Sequence, residues 1–334
     1  MWRKHNQRFD VASALSQGRR DYQEDALVTD FPVGEDIGVV VLADGMGGHA
    51  AGDVASKIVV TEVYAMLKRQ SETFLTNAKS IPARMTSAAA KANASVRDHV
   101  KAQPERAGMG ATLVSLVMRG EELYWTSIGD SPLYLMRGGQ LQQLNEDHSM
   151  APQIDMMVEA GLLDAAAAKD HPDRNCLTSA ILGETVARVD CPDTPFFMEA
   201  GDIIVVSSDG LQFLEEPEIE RLIHRNRRRT AAEIAGILLQ ALEALREPDQ
   251  DNISFSVIKV NHVDALRLDP VMAMPAERSR SMTKFADMSK LTGYAQGIFG
   301  SGKKEAAAQP VFTSNRNAAS LGMSNGGAPT QSGP

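Results

Sequence analysis

The sequence predicts an α+β fold, and three observations carry that prediction. Short β-rich runs bounded by Gly, Asp or Pro recur between residues 37 and 260, some follow one another closely enough to be hairpins, and long Ala-rich helical stretches are grouped between them. A strict strand–helix–strand alternation would instead signal a parallel sheet. With 334 residues, 43% of them apolar, the chain can bury one large or two medium cores, which excludes a wholly disordered or fibrous protein.

Taken in order, the first strong strand is 37–42, a buried-looking run of Ile, Gly, Val and Leu. Helical composition follows at 51–69 and 81–103, rich in Ala and long side chains. Strands are then expected at 111–118, 122–128 and 133–136, separated by turn residues as hairpins require. A helix at 150–160, a strand at 202–207, a helix at 231–245 and a strand at 253–260 complete this part of the chain. No repeat of fixed period is present.

Composition shifts near residue 262. Beyond it come Ser-Arg-Ser repetition, an Ala-rich patch and a Gly/Asn/Ser/Pro ending over 314–334, which reads as disordered. Residues 1–262 hold 26 basic and 38 acidic groups, net −12, whereas 263–334 are net +3. The expected division is therefore a globular domain at 1–262 and a low-complexity tail at 263–334. Within the tail, Phe285, Met288, Leu291, Tyr294 and Ile298 fall at helical spacing, so a short amphipathic helix over 283–299 could dock a protein partner.

The whole chain carries 34 Lys and Arg against 43 Asp and Glu, a net charge of −9 that disfavours nucleic acid or an anionic membrane as partner and suits divalent cations. Two cysteines, Cys176 and Cys191, are too few for a disulfide framework. Apolar runs are far shorter than the roughly 20 residues a membrane span needs, and residues 1–10 lack an apolar signal core. The expected location is the cytoplasm.

Two distant segments rhyme. Val39-Val40-Val41-Leu42-Ala43-Asp44-Gly45 and Ile203-Ile204-Val205-Val206-Ser207-Ser208-Asp209-Gly210 are both apolar strands ending in Asp-Gly, a turn whose carboxylate and adjacent carbonyl can face one hard cation. Asp130 ends the run 124–129, Asp251 precedes the strand at 253, and Glu24-Asp25 follow a short polar entry. One Asp-Gly is usually a tight turn. Five acidic strand ends together would repel one another unless cations sit among them, and all-oxygen ligands select Mg²⁺ or Mn²⁺ over zinc. No His-x-x-x-His or Cys-x-x-Cys pair supplies a softer site; His99 and His148 read as surface or structural residues.

Gly45-Met46-Gly47-Gly48-His49-Ala50 also matches the dinucleotide-binding pattern between strand and helix. Asp44 at the strand tip would repel a pyrophosphate, and no second strand ending in an acidic residue follows at the expected distance. A G-x-x-x-x-G-K-[ST] loop is absent as well.

Gly18-Arg19-Arg20-Asp21-Tyr22-Gln23-Glu24-Asp25, Asp44-Gly45-Met46-Gly47-Gly48-His49, Gly110-Ala111-Thr112, Ile128-Gly129-Asp130-Ser131, 177–183, Ser208-Asp209-Gly210 and Asp251-Asn252-Ile253-Ser254 together resemble the metal-dependent protein phosphatases of the protein phosphatase 2C type, particularly bacterial members, over about 10–260. The resemblance implies a four-layer α/β/β/α sandwich of two antiparallel sheets flanked by helices, with two Mn²⁺ or Mg²⁺ ions in a cleft at one edge. By the same resemblance, Asp44 would bridge both metals, Asp209 and Asp251 would complete one site, and Glu24 with the Gly45 carbonyl would hold the other. Asp25 would steady metal-bound water, Arg20 would grip the substrate phosphate with its planar fork of donors, and Asp130 would support a third, weaker metal.

Two cations roughly 4 Å apart can acidify a shared water and neutralise an in-line phosphoryl transition state, so no protein nucleophile is needed. Ser131 and Ser208 therefore read as turn and strand residues, neither lying in a G-x-S-x-G elbow. Met46 stands where many eukaryotic relatives carry a histidine proposed as general acid, so leaving-group protonation would come from water or another group; Pro132 stands where an arginine is common and Gln23 where many bacterial members have asparagine, and neither of these two changes removes a ligand. The segment 146–174 is expected to contain a variable flap beside the cleft. The function so implied is hydrolysis of phosphoserine and phosphothreonine in phosphoprotein substrates, opposing a bacterial Ser/Thr kinase. The alternatives are a catalytically weak phosphoprotein-binding module and a hydrolase of small phosphoesters.

Overall fold

Along Ile37–Ala43 the side chains alternate between two different cores. Val39, Val41 and Ala43 join one cluster while Val40 and Leu42 join another. Ile203–Ser207 behaves the same way, with Ile203 and Val205 on one side and Ile204 and Val206 on the other. A strand buried on both faces reads as an unbroken apolar run, which is why these two segments stand out in the sequence.

The computed structural model describes residues 8–33, 35–47 and 51–262. Two compact units divide the chain at residue 268, and every described residue belongs to the first. The helix expected at 283–299 and the remainder of the tail lie outside the described residues, as does His49.

In chain order the strands are β1 (Phe9–Ser16), β2 (Ala26–Asp30), β3 (Ile37–Ala43), β4 (Gly45–Met46), β5 (Gly110–Ala111), β6 (Leu113–Arg119), β7 (Glu122–Ile128), β8 (Leu133–Arg137), β9 (Gln140–Gln143), β10 (Phe196–Phe197), β11 (Ile203–Ser207) and β12 (Ile253–Val260). The helices are α1 (Gly52–Lys68), α2 (Ser71–Thr76), α3 (Ile81–Ala102), α4 (Ala151–Glu159), α5 (Ala165–Lys169), α6 (Glu216–Asn226) and α7 (Ala231–Leu245). One antiparallel sheet runs β1-β12-β11-β8-β9 and the other β10-β7-β6-β3-β2, with β4 and β5 forming a small ladder of their own.

Three apolar cores separate four layers. Helices α1 and α3 cover the second sheet through residues such as Val59, Val63, Met85 and Val96. Helices α6 and α7 cover the first through Ile219, Ile223, Ile234 and Leu238. Between the sheets lie Leu42, Leu116, Trp125, Leu135, Ile204 and Ile258. The fold is therefore the two-sheet sandwich flanked by helices that the sequence led us to expect.

The inward face of β12 is not uniformly apolar. Ile258 and Val260 enter the inter-sheet core, but Ser254 and Ser256 are also buried: Ser254 Oγ accepts from Gln23 Nε2 at 3.2 Å, and Ser256 Oγ lies 2.6 Å from Ser13 Oγ and 2.9 Å from Thr29 Oγ1. The end of the sandwich nearest residue 253 is thus its polar end.

The sequence pattern does not predict β1, β2, β4, β9, β10, α2, α5 or α6. Strand β1 is Ser- and Ala-rich and gains its place by an eight-residue antiparallel register against β12, from Phe9 opposite Val260 to Ser16 opposite Ile253. Helix α6 is mostly charged and buries only Ile219 and Ile223. The expected flap is an excursion containing α4 and α5, whose ends meet where Met150 N donates to Cys176 O at 3.0 Å. Among the described residues no helix is long and apolar enough to cross a membrane.

Candidate active site

Both sheets deliver aspartates to the same edge. Asp44 follows the last residue of β3 in the second sheet, and Asp209 follows β11 in the first by two residues. Asp251 arrives just before β12, Glu24 and Asp25 just before β2, and Asp130 just after β7. Arg20, Glu24, Asp44, Gly45, Asp130, Asp209 and Asp251 line one cleft of about 1070 Å³. Asp25 lies behind its wall, 5% exposed.

The two glycines after the aspartates serve a purpose other than left-handed backbone. Neither has a positive φ. A Cβ on Gly45 would lie 2.2 Å from the Gly52 carbonyl oxygen and 2.5 Å from that of Glu24; one on Gly210 would lie 2.0 Å from the Asn252 carbonyl oxygen. Close backbone approach, not turn geometry, demands glycine here.

Gathering the carboxylates shifts their protonation. Burial pushes Asp25 up to about 7, with Asp209 and Asp251 adding repulsion against hydrogen bonds from Ser208 and Ser254. Burial likewise pushes Asp130 up to about 7, helped by Asp209 and Asp147. Asp44 is held well above the carboxylate range by burial and then by Asp25, Asp209 and Asp130. Asp209 is raised by burial and Asp251, and Glu24 by burial, partly offset by the backbone N–H of Gly52.

Arg20 is the one cation among the described cleft-lining residues, and it is engaged: Nη2 donates to Asp251 Oδ2 at 2.6 Å. Glu24 and the Gly45 carbonyl converge instead, since a Cβ built on Gly52 would lie 2.7 Å from both Glu24 Oε1 and Gly45 O. Among the described residues no three His, Cys, Asp or Glu side chains are already gathered into an ion cage. The donor set nevertheless suits hard divalent cations. It is all oxygen, its members raise one another's pKa, and Asp25 Oδ1 and Asp209 Oδ1 are buried with no hydrogen-bond partner.

Three residues that brace the site carry no role in the sequence reading. Thr112, 2% exposed, takes the Asp44 N–H on Oγ1 at 3.0 Å, gives its own N–H to Asp44 O at 2.9 Å, and lies 2.7 Å from Ser131 Oγ. Ser208 donates to Asp25 Oδ2 at 2.8 Å and accepts the Ser254 N–H at 3.1 Å. Asn252 accepts the Glu24 N–H at 2.7 Å and donates to Gln17 O and Tyr22 O, both at 2.9 Å, so it folds the 17–24 loop across the cleft. Their positions beside the motif acids were the available signal; their partners, up to 235 residues away, were not.

A family model for protein phosphatase 2C matches residues 16–249. The chain belongs to the protein phosphatase 2C family. Among curated relatives of this phosphatase, the serine/threonine phosphatase stp of Listeria innocua is 30% identical over 224 residues, covering 67% of this chain and 84% of the relative. The serine/threonine protein phosphatase PstP of Mycobacterium tuberculosis is 30% identical over 235 residues, 70% of this chain but 43% of that longer protein. Among solved structures, Mycobacterium tuberculosis PstP superposes with a TM-score of 0.64 at 28% identity, covering 76% of this chain and 99% of that one. A second PstP structure, of its catalytic domain in complex with two manganese ions, gives 0.61 at 26% identity, with coverage of 76% and 99%.

Proposed function

We propose that this phosphatase hydrolyses phosphoserine and phosphothreonine in proteins using two divalent cations, Mn²⁺ or Mg²⁺, held by Asp44, Asp209, Asp251, Glu24 and the Gly45 carbonyl. The observation that carries this reading is the convergence of acidic strand ends from both sheets on one cleft, where burial and mutual repulsion hold several carboxylates above their ordinary pKa. Bound there, the cations would supply an acidified water and offset charge developing on the phosphoryl oxygens. The manganese complex of PstP and the phosphatase names of the relatives support it.

The chain's own residues do the rest. Asp44, whose backbone N–H and carbonyl are both held by Thr112, is the best-anchored of these residues and would bridge the two cations. Asp25, oriented by Ser208, keeps Oδ1 free to hold water within the site. Arg20, which donates to Asp251 here, would grip the substrate phosphate with the same planar fork, leaving Asp251 to help hold a cation. Asp130 sits at the margin, where a third, weaker ion would be held. The cleft opens to solvent past Tyr22 and Leu182, 59% and 42% exposed, which favours a protein substrate over an enclosed small phosphoester.

Residues 1–262 form the catalytic domain in this reading, the phosphoprotein substrates include targets of an opposing Ser/Thr kinase, and two free cysteines suit the reducing cytoplasm. The deciding experiment is phosphate release from a phosphothreonine peptide with Mn²⁺, with excess chelator, and by Asp209→Asn. Turnover that needs Mn²⁺ and is lost in the variant is the expected result. Silence towards peptides and small phosphoesters alike would replace the enzyme with a phosphoprotein-binding module.

A further inference from the structure

His148 is completely buried yet has no part in the chemistry above. It stands immediately before the flap, between two walls of the cleft. On one side its backbone N–H donates to Gly129 O at 3.1 Å, and its ring Nδ1 accepts the Gly129 N–H at 3.3 Å. On the other side its carbonyl oxygen accepts from both Thr178 N at 2.7 Å and Thr178 Oγ1 at 2.9 Å. Gly129 precedes Asp130, and both Asp130 and Thr178 line the cleft.

We propose that His148 is a positioning residue, whose Nδ1 lone pair fixes the turn carrying Asp130 while its carbonyl fixes the Thr178 wall, so that the two sides of the cleft are held in register. Only the neutral ring with its proton on Nε2 can do this, because an imidazolium offers no acceptor. Burial, with Arg188 next, keeps the ring pKa below its ordinary value, in keeping with the neutral form. Nε2 makes no hydrogen bond; the nearest carboxylate oxygen, Glu146 Oε2, is 3.7 Å away. The turn has little slack of its own: a Cβ on Gly129 would lie 2.7 Å from Thr112 Cγ2, and Thr112 holds Asp44. Loss of the Nδ1 contact would leave the buried Gly129 N–H without its acceptor and let the Asp130 turn drift relative to Thr178.

The asymmetry between the ring nitrogens gives a sharp test. Asparagine places its amide oxygen one bond from Cγ, where Nδ1 lies, whereas glutamine reaches one carbon further, towards Nε2. If His148 mattered only by filling space, glutamine or leucine, nearer in volume, would substitute better than asparagine.

Full-length chain with ¹⁵N-glycine labelling would be compared as wild type, His148→Asn, His148→Gln and His148→Leu. Three quantities would be followed: Gly129 amide exchange by NMR, Mn²⁺ binding by EPR, and KM and kcat on a phosphothreonine peptide. His148→Asn is expected within about twofold of wild type in each. In His148→Gln and His148→Leu, Gly129 exchange should speed up and Mn²⁺ binding weaken by about fivefold, the worth of one neutral hydrogen bond, with KM rising more than kcat falls. Asparagine no better than glutamine, or unchanged Gly129 exchange in His148→Gln, overturns the proposal. If leucine fails to fold, the Asn/Gln pair decides alone. The use of the cleft rests on the phosphatase reading, but exchange and Mn²⁺ binding need no turnover. A chain silent towards phosphopeptides would sink that reading while leaving this contact to be judged by exchange.

Discussion

The two Asp-Gly strand ends, one per sheet, are alike in sequence but unlike in how they are held. Asp44 is gripped by backbone: Thr112 takes its N–H and supplies a donor to its carbonyl, Gly45 continues into the β4–β5 ladder opposite Ala111, and Gly52 at the start of α1 presses on Gly45 from the other side. Asp209 instead opens a 3-10 turn, with Gly210 under the Asn252 carbonyl and its own Oδ1 buried without a partner. In the proposed mechanism a residue with a fixed backbone would suit the bridging position, and a carboxylate with an unpartnered oxygen would suit a ligand that adjusts to its cation. The same dipeptide therefore has an anchored backbone at one end and a carboxylate with an unpartnered oxygen at the other, an anchor and an adjustable ligand if both hold metal.

Side-chain removal is the strongest way to break that comparison. Asp44→Ala should lower turnover by at least about 10³-fold, because under the proposed mechanism it would remove the ligand shared by both cations. Asp209→Asn should leave measurable Mn²⁺ binding by EPR while abolishing most turnover. Arg20→Ala should act chiefly on KM, as befits a phosphate grip. Equal loss of Mn²⁺ binding in the two aspartate variants would erase the distinction between anchor and adjustable ligand.

Glycine substitution tests the backbone side. Gly45→Ala and Gly210→Ala each force a methyl to within 2.2 Å or less of a carbonyl oxygen, which should cost about 3 kcal/mol in urea unfolding. Gly236 in α7 has open space around a built Cβ, so Gly236→Ala should stabilise by about 0.5–1 kcal/mol through helix propensity. A neutral effect at Gly210 would mean that the two ends yield differently to crowding.

These two strand ends were legible in sequence because β3 and β11 are buried on both faces and end in an unusual acidic signature. Helices α1, α3, α4 and α7 were legible for a similar reason, their length and composition outweighing any tertiary context. Strand β1 was not, since Ser and Ala give little strand preference and its place depends on pairing with β12, from Phe9 opposite Val260 to Ser16 opposite Ile253, far along the chain. The acids of the site were visible as types; the contacts that orient them were not. Arg20 reaches Asp251 over 231 residues, and Ser208 reaches Asp25 over 183, distances at which spacing carries no signal. His148 was read as surface or structural, and only the fold reveals what its ring holds.

Protonation separates the two ends more gently. Asp25 and Asp130 have folded-state pKa values near 7 against about 4 unfolded, so the native chain binds the extra protons between those values. Their contribution to stability is fully present below about pH 4 and is lost as pH rises through 7. In chelator, stability should therefore fall by roughly 5 kcal/mol between pH 5 and pH 7.5, about half of it from each group. His148, whose pKa is lowered, works in the opposite direction, and the Asp25→Asn variant isolates the carboxylate part. Saturating Mn²⁺ should remove the fall, since cations favour the charged carboxylates. Stability that is flat or rising in chelator, with no difference between Asp25→Asn and wild type, would show that the acids do not repel as their arrangement implies.

The smallest expected effect concerns the hydroxyls behind each end. Thr112→Val removes the acceptor for the Asp44 N–H and the contact with Ser131, while Ser208→Ala removes the donor to Asp25 and the acceptor for the Ser254 N–H. Each should cost about 1–2 kcal/mol of stability, because each leaves buried polar groups without partners. The functional costs should diverge. Thr112→Val loosens a backbone anchor that its own N–H still partly holds, so Mn²⁺ affinity should change by about twofold or less. Ser208→Ala frees the Asp25 carboxylate to rotate, and its Mn²⁺ affinity should weaken by about tenfold, the low end for residues that orient a site from behind. The reverse ranking would place the adjustable part of the site at Asp44 and invert the comparison between the two ends.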